Sequence, residues 1–380
     1  MTATSIHFRV GNGDMTLFEL DGGKTLLVDT NITAAADDPN DETPDVAKQL
    51  RDRLKRDAQG RLFVDAFLLT HPDHDHCRGL RAHFHLGPLN EWCEADDKIV
   101  IREMWSSPIV FRRASRKHVL GDDAKAWACE ARRRVKRFRE RGYLLEGDWI
   151  KILGEDVNGK TDGLGTILVR CNEEFASIAG EQGSFRARLL APMAPAGDEL
   201  EEQLSKNNSS VILGLSLTVD FQNDAARYLI GGDAEVLIWE RVWDRNKHQP
   251  ANLAYDILLA PHHCSWHSLS WYSWSVWGEG AVVSEDARKA LAQARDGAQI
   301  LSSSKPIQDD KDDPPCIRAK REYQAILAPV QGKFHCIADG TSDAPYEIEV
   351  THAGHRPKRA RAAATVATMT GIGTVPLSHG

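Results

Sequence analysis

Apolar residues in this chain fall into short runs separated by polar punctuation, and most runs have strand length. "IHFRVGNGDMTLFEL" followed by "GGKTLLVDTNI" reads as two strands joined by a turn at Asp21-Gly22-Gly23. Between Asp41 and Asp57 the period changes: Val46, Leu50 and Leu54 recur four apart, the spacing of one helix face. "LFVDAFLLT" then gives a largely apolar run with the look of a buried strand, which empties into "HPDHDHC". From residue 86 to 183 the pattern loosens around a basic helical stretch and the glycine-rich "ILGEDVNGKTDGLGT". This region is expected to be an elaborated insertion, not a separate domain. Strands resume in "FRARLLAP", "VILGLSLTVD", "RYLIGGDAE" and "YDILLAPHHCSWHS". A helix is expected at "EDARKALAQARDG", then "AQILSSSK", then a closing hairpin of "GKFHCIADG" with "YEIEVTH". One domain over 1–355 and a basic, then low-complexity tail over 356–380, expected to be disordered, complete the reading.

Composition narrows the class. At 380 residues, 42% hydrophobic and 27% charged, the chain can bury a sizeable core. No apolar stretch reaches the ~18 residues of a membrane-spanning helix, and the N-terminus lacks a signal-peptide layout. Seven scattered cysteines without a CxxC pair suit reduced thiols. The expectation is a cytoplasmic protein with no membrane contact. A net charge of −8 argues against a protein coated in nucleic acid, but "FRRASRKH", "ARRRVKRFRER" and "HRPKRAR" are locally basic. The Ala131 run reads either as a solvated helix face or as a basic arm turned to a substrate.

Three apolar runs end in residues that ligate metals: His71, Asp73, Asp75 and His76 after the first, Asp233 after "RYLIGG", and His262-His263 after "YDILLAP". Strand ends on one rim are where α/β proteins place their chemistry. Imidazole with carboxylate suits Zn²⁺, Mn²⁺ or Fe. A carboxylate such as Asp233 can bridge two cations ~3.5–4 Å apart, a hydrolytic arrangement.

These motifs, in this order, resemble the metallo-β-lactamase-fold hydrolases, and most closely the nuclease-like domain of ComEC-type competence DNA-uptake proteins. "VGNGDMTLFELDGGKTLLVDTN" is similar to that group's opening hairpin, "THPDHDHCRG" to its "SHxDxDHxGG", and "LLAPMAP" to its "LxPP". "NNSSVIL" is similar to "NNxSLVL", "LIGGDAE" to "LxGDxE", "LLAPHHCSWHS" to "LKxPHHGSxxS", and "ILSSSK" to "ISxGK". The resemblance implies an α/β fold, the αββα sandwich, holding two divalent ions (Mn²⁺ or Zn²⁺, with Mg²⁺ admissible). One ion would see His71, Asp73 and Asp233, the other Asp75, His76, Asp233 and His263. Asp75 would alternatively act on the metal-activated water, and which of His262 and His263 ligates stays open. Asp73, Asp75, Asp233 and His262 are the expected catalytic groups, with Asp29 as a supporting carboxylate that orients a ligand histidine. The general fold signature has histidine where Asp73 stands; the carboxylate hardens the site and shifts it toward Mn²⁺ or Mg²⁺.

The chain departs from that group in four places. Cys264 replaces a glycine, which would narrow the pocket or bring a thiol near the metals, the first being favoured. Cys77 stands where an apolar residue is usual. "PIQDDKDDPPCIRAK" replaces a late histidine-bearing element, leaving Lys305 and Ser304 as the nearest substrate contacts. A histidine ligand expected between the first motif and Asp233 is missing; Asn208 or water would complete that ion, unless Asn207-Asn208 is only a turn. The leading functional expectation is a phosphodiesterase or nuclease acting on DNA or RNA, with Arg112, Arg113, Arg132, Arg133 and Arg137 binding the backbone. A small-molecule hydrolase with a pocket roofed by Trp266, Trp271, Trp274 and Trp277 is the alternative. A third reading is a partner-activated component of a bacterial defence or stress system, contacted through the Trp-rich 266–277 segment.

Overall fold

The computed structural model describes residues 2–38, 41–108, 119–156, 159–194, 206–340 and 342–358. The opening segment is itself a hairpin: β1 (Ala3–His7) pairs antiparallel with β2 (Thr16–Glu19), which pairs with β3 (Thr25–Val28). The sequence Gly11-Asn12-Gly13-Asp14 therefore lies in a loop at the end of two strands, not inside one. The predicted 41–57 helix contracts to α1 (Val46–Arg51), started by the Asp45 side chain accepting from the Lys48 N–H. Leu54 is nonetheless buried, in the same core as Val46 and Leu50.

From β3 the sheet runs in parallel through β4 (Leu62–Leu69), β5 (Ile99–Ser106), β6 (Trp149–Leu153) and β7 (Leu168–Val169). The 86–183 region is therefore no insertion. It supplies β5 beside the motif strand, and α3 (Asp122–Arg141), after the one-turn α2 (His74–Cys77), in the outer helix layer. Sequence pattern missed β5 because "IVIREMWS" carries two charges. Glu103 in it is 1% exposed and accepts from Lys151 Nζ (2.6 Å) and Trp105 Nε1 (3.0 Å).

The second sheet comprises β8 (Glu174–Ile178), β9 (Glu181–Ala191), β10 (Ile212–Val219), β11 (Gln222–Ile230), β12 (Tyr255–Leu259), β13 (Ala294–Ser302) and β14 (Lys333–Cys336), in that spatial order. Its last four strands are parallel. The chain then returns to the first sheet with β15 (Tyr346–Thr351), which pairs with β1, and β16 (Gly354–Pro357). The expected closing hairpin does not form: its two halves, β14 and β15, belong to different sheets. Strand structure also runs to Pro357, past the expected boundary at 355; the rest of the expected tail, 359–380, lies outside the described residues.

Alternation within strands builds the layers. Leu26, Val28, Ala66 and Leu68 face Leu213, Tyr228, Ile230 and Ile257 in a core between the sheets. Leu27, Phe67 and Leu69 face outward onto Trp127 and Val135 of α3. On the other side Leu229, Leu258 and Ile300 pack against Trp239 of α4 (Val236–Asn246) and Tyr323 of α5 (Ile317–Leu327). The result is four layers, αββα, with parallel strand ends from both sheets at one rim. Among the described residues no helix is long and apolar enough to cross a membrane.

Candidate metal centre

Beyond β4 the chain stays extended through Thr70 and His71, then turns once through α2, with Asp73 at its N-cap position. That turn sends His76 and Cys77 inward and leaves His74 exposed, where it accepts a hydrogen bond from Arg78 Nε (2.9 Å). Cys77 packs in the outer core and its thiol donates to the Asp73 carbonyl (3.1 Å). Burial pushes that thiol up to about 12, so it serves as packing and not as a thiolate.

The imidazoles are held from behind. Asp29, fully buried with φ +56°, accepts from the Thr70 N–H (2.7 Å), Thr70 Oγ1 (2.6 Å) and His76 Nδ1 (2.8 Å). His263 Nδ1 donates to the Ser303 carbonyl (3.1 Å). With Nδ1 of each ring committed as a donor, the lone pair sits on Nε2. His262, His263 and Cys264 take φ of +51°, +51° and +69°, three left-handed residues in succession. This wound turn is held by the His262 N–H to Gly232 carbonyl bond (3.0 Å) and the Cys316 N–H to Cys264 carbonyl bond (3.0 Å). It presents His263 at the rim and buries Cys264 in the core beside α5, so the thiol neither narrows the site nor faces it.

Asp233 lies at the centre. Its carboxylate is 3.0 Å from His76 Nε2, 3.6 Å from His71 Nε2, 3.5 Å from His263 Nε2 and 3.8 Å from His262 Nε2. Asp73 approaches His71 Nε2 to 4.0 Å, and Asp75 approaches His263 Nε2 to 3.3 Å. Two residues before Asp233, Gly231 lets the strand end pack closely on α4: a Cβ there would fall 2.7 Å from the Trp239 ring. The Asp233 N–H is anchored on Ser210 Oγ (3.1 Å).

Despite these distances, His71 Nε2, His76 Nε2, His263 Nε2, His262 Nδ1 and Asp233 Oδ1 are buried and make no hydrogen bond among the described residues. Buried polar atoms left unpaired are costly, and here most of them converge on one point. Divalent cations satisfy such a donor set; ordinary packing does not. The electrostatics agree. Burial drives His71 down to about 4, so it is neutral at pH 7. Burial also opposes charge on His263, yet Asp233, Asp75 and Asp14 raise it to about 10. The carboxylates of the rim thus demand positive charge, which protons supply in the bare chain.

Other expected contacts fall elsewhere. Ser304 is 2% exposed and bonds Ser302 Oγ (2.8 Å) beneath the rim, so it cannot reach a substrate. Lys305 pairs with Asp312. Asn208 Oδ1 accepts from the Glu235 N–H (3.3 Å) at the start of α4, while its neighbour Asn207 turns Nδ2 toward His262 Nε2 (3.5 Å). Trp266 is buried; Trp271 and Trp277 are exposed beside Tyr272, and Trp274 lies under the Arg318 guanidinium, so the tryptophans form no common roof. The run containing Arg112 and Arg113 lies outside the described residues.

The basic helix also departs from expectation. Arg133 bonds Glu130 (2.7 Å) and Asp148 (2.6 Å); Arg134, 2% exposed, bonds Glu130 (2.7 Å) and the carbonyls of Ile101 and Trp149. Arg137 leans on Glu140 (3.4 Å), and Arg132 is exposed. The helix touches the motif through its other end, where Asp123 accepts from the Gly79 and Arg81 N–H groups (3.1 and 2.9 Å). At 1.5 Å per residue, Arg132 and Arg137 lie about 14 and about 21 Å further along the axis. Sequence had not placed Asp14 at the rim. Ligand atoms of Asp14, His76, Asp233 and His263 all lie within 4.8 Å of one another. The available signal was the "GNGD" loop, a tight glycine turn delivering a carboxylate.

No curated protein matches the chain. Among solved structures, "Crystal structure of unliganded yeast PDE1" aligns over 92% of this chain and 100% of that one, at 12% identity and a TM-score of 0.38. Residues 8–166, which carry the hairpin loop, the His/Asp motif and α3, match the model of the metallo-beta-lactamase superfamily, whose αββα fold this chain adopts.

Proposed function

We propose that this protein is a metal-dependent hydrolase of phosphodiesters. The observation that carries the reading is Asp233, set between two groups of candidate ligands whose imidazole Nε2 atoms are buried without a hydrogen bond among the described residues. His71 and Asp73 lie on one side, with His76, His263 and Asp75 on the other. Bound there, divalent cations would supply Lewis-acid polarisation of a phosphoryl oxygen and a water nucleophile at neutral pH. The chain's own part is positional. Asp29 and the Ser303 carbonyl fix the tautomers of His76 and His263, and Asp75, one-third exposed, is placed to hold a proton from that water. Carboxylates at Asp73, Asp75 and Asp233 favour Mn²⁺ or Mg²⁺ over a purely nitrogenous zinc set.

Nucleic acid is the substrate to test first. A smaller phosphodiester is the second reading, favoured because Arg133 and Lys305 are already paired and Asp309, Asp310, Asp312 and Asp313 crowd the loop beyond Lys305. Protein reconstituted with Mn²⁺, Zn²⁺ or Mg²⁺ should turn over bis(p-nitrophenyl) phosphate and leave a chromogenic lactam intact, with Asp233→Ala inactive. Cleavage of single- or double-stranded DNA separates the nuclease from the small-substrate enzyme. Lactam turnover, or no phosphodiester turnover with any metal, would overturn the proposal.

A further inference from the structure

The Gly11–Asp14 loop is bonded to three of the segments that build the rim. Asn31 Nδ2, just past β3, donates to the Val10 and Asn12 carbonyls (3.1 and 3.2 Å). The Asp14 N–H donates to the Asp75 carbonyl in the motif turn (3.2 Å). Ser303 Oγ, past β13, donates to the Gly13 carbonyl (2.6 Å), and the Lys305 N–H to Asn12 Oδ1 (3.0 Å). Gly13 makes the fit possible: at φ +150° its added Cβ would fall 2.0 Å from Asn31 Nδ2 and 2.8 Å from the Asp75 carbonyl. The loop is thus wedged against the elements that carry the imidazoles, and its last side chain is the Asp14 carboxylate, 15% exposed.

That carboxylate has no structural employment in sight. It lies 3.9 Å from His76 Nδ1 and 4.0 Å from His263 Nδ1, beyond hydrogen-bond range. Both Nδ1 donors already have nearer acceptors, Asp29 at 2.8 Å and the Ser303 carbonyl at 3.1 Å. No arginine or lysine pairs with it among the described residues. A largely buried carboxylate without a donor is expensive unless it meets a cation. Its oxygen shares a 4.8 Å cluster with ligand atoms of His76, Asp233 and His263, two nitrogens and two oxygens.

We propose that Asp14 is a cation ligand, closing from the hairpin side the pocket formed by His76, His263 and Asp233. The inference rests on the rim being a cation site, and the experiment separates the two. Metal-free wild type, Asp14→Asn and Asp233→Asn are titrated with Mn²⁺, following free Mn²⁺ by electron paramagnetic resonance, and each metal-free protein is unfolded in urea. Asp14→Asn should bind Mn²⁺ roughly tenfold more weakly or worse, a loss at least as large as that from removing a supporting group. Metal-free Asp14→Asn should unfold at or above the wild-type midpoint, because an amide replaces an unpaired buried charge. Wild-type Mn²⁺ affinity in Asp14→Asn, with weakened binding in Asp233→Asn, overturns the role of Asp14 alone. Unchanged binding in both overturns the cation site itself. A metal-free Asp14→Asn that unfolds well below wild type shows a structural carboxylate and also overturns the proposal. Asp14→Glu, which keeps the charge on a longer arm, should recover part of the affinity.

Discussion

His7 makes mild acid a specific stress for this fold. It lies on β1, 3% exposed, with Nε2 bonded to Ser5 Oγ (2.9 Å) and Nδ1 to Thr16 Oγ1 (3.1 Å). Ser5 in turn bonds Tyr228 OH (2.9 Å) across the inter-sheet core. Burial lowers the imidazole from 6.5 to about 3. The folded pKa is below the unfolded one, so between those values the unfolded chain binds more protons, and stability falls as pH drops through 6.5. Linkage for one such group gives a loss of about 0.2 kcal/mol at pH 7 and about 2 kcal/mol at pH 5. At pH 5 the result depends on the unfolded value alone, because the folded pKa is two units lower. The assay is urea unfolding of metal-free protein at pH 7 and pH 5, comparing wild type with His7→Gln. His71 and the other histidines titrate in both proteins and cancel in the difference. The His7→Gln protein should lose about 2 kcal/mol less than wild type over that interval. Parallel losses, within about 0.5 kcal/mol, would refute the claim that His7 is buried neutral.

Asp29→Asn should weaken Mn²⁺ binding by about 10–100-fold, measured by equilibrium dialysis, because His76 loses its charged orienting acceptor. Arg134→Ala should cost about 2–4 kcal/mol in urea unfolding by emptying a buried site and leaving the Ile101 and Trp149 carbonyls without their donor, Arg133 keeping Glu130 paired, whereas Arg132→Ala should stay within about 0.5 kcal/mol. Cys264→Gly should be near neutral, within about 1 kcal/mol. Relief of the left-handed backbone, about 1–2 kcal/mol, offsets loss of the buried thiol. Cys264→Val, β-branched at φ +69°, should unfold at clearly lower urea than either. Mn²⁺ at about 100 times its dissociation constant should raise the wild-type unfolding free energy by about 2.7 kcal/mol, and EDTA should remove that increment.

The strand ends bearing His71, Asp233 and His263 were legible because a buried parallel strand announces itself as a mostly apolar run, broken at most by a single carboxylate such as Asp65 or Asp256, that ends in polar residues. β5 was not, because Glu103 and Lys151 satisfy each other at the sheet face, and pairing of that kind is invisible in a linear pattern. The Ala131 run read correctly as helix. Its arginines misled because long side chains reach back to buried carboxylates and carbonyls as readily as out to phosphate. Adjacent strands usually pair, which is why β14 and β15 looked like a hairpin; β14 instead extends the parallel ladder beside β13. Asp14 escaped notice because its place depends on three distant segments wedging the loop, and no local spacing encodes that.

The pairing of β1 with β15 has a consequence for synthesis. Ala3 lies opposite Val350, so one edge of β1 waits for its partner while roughly 350 residues are made. At ~5–20 residues per second that is roughly 20–70 s with an open strand edge on the ribosome. β1 is short and carries Thr4, Ser5 and His7 among its five residues, a poor template for stray pairing during that interval.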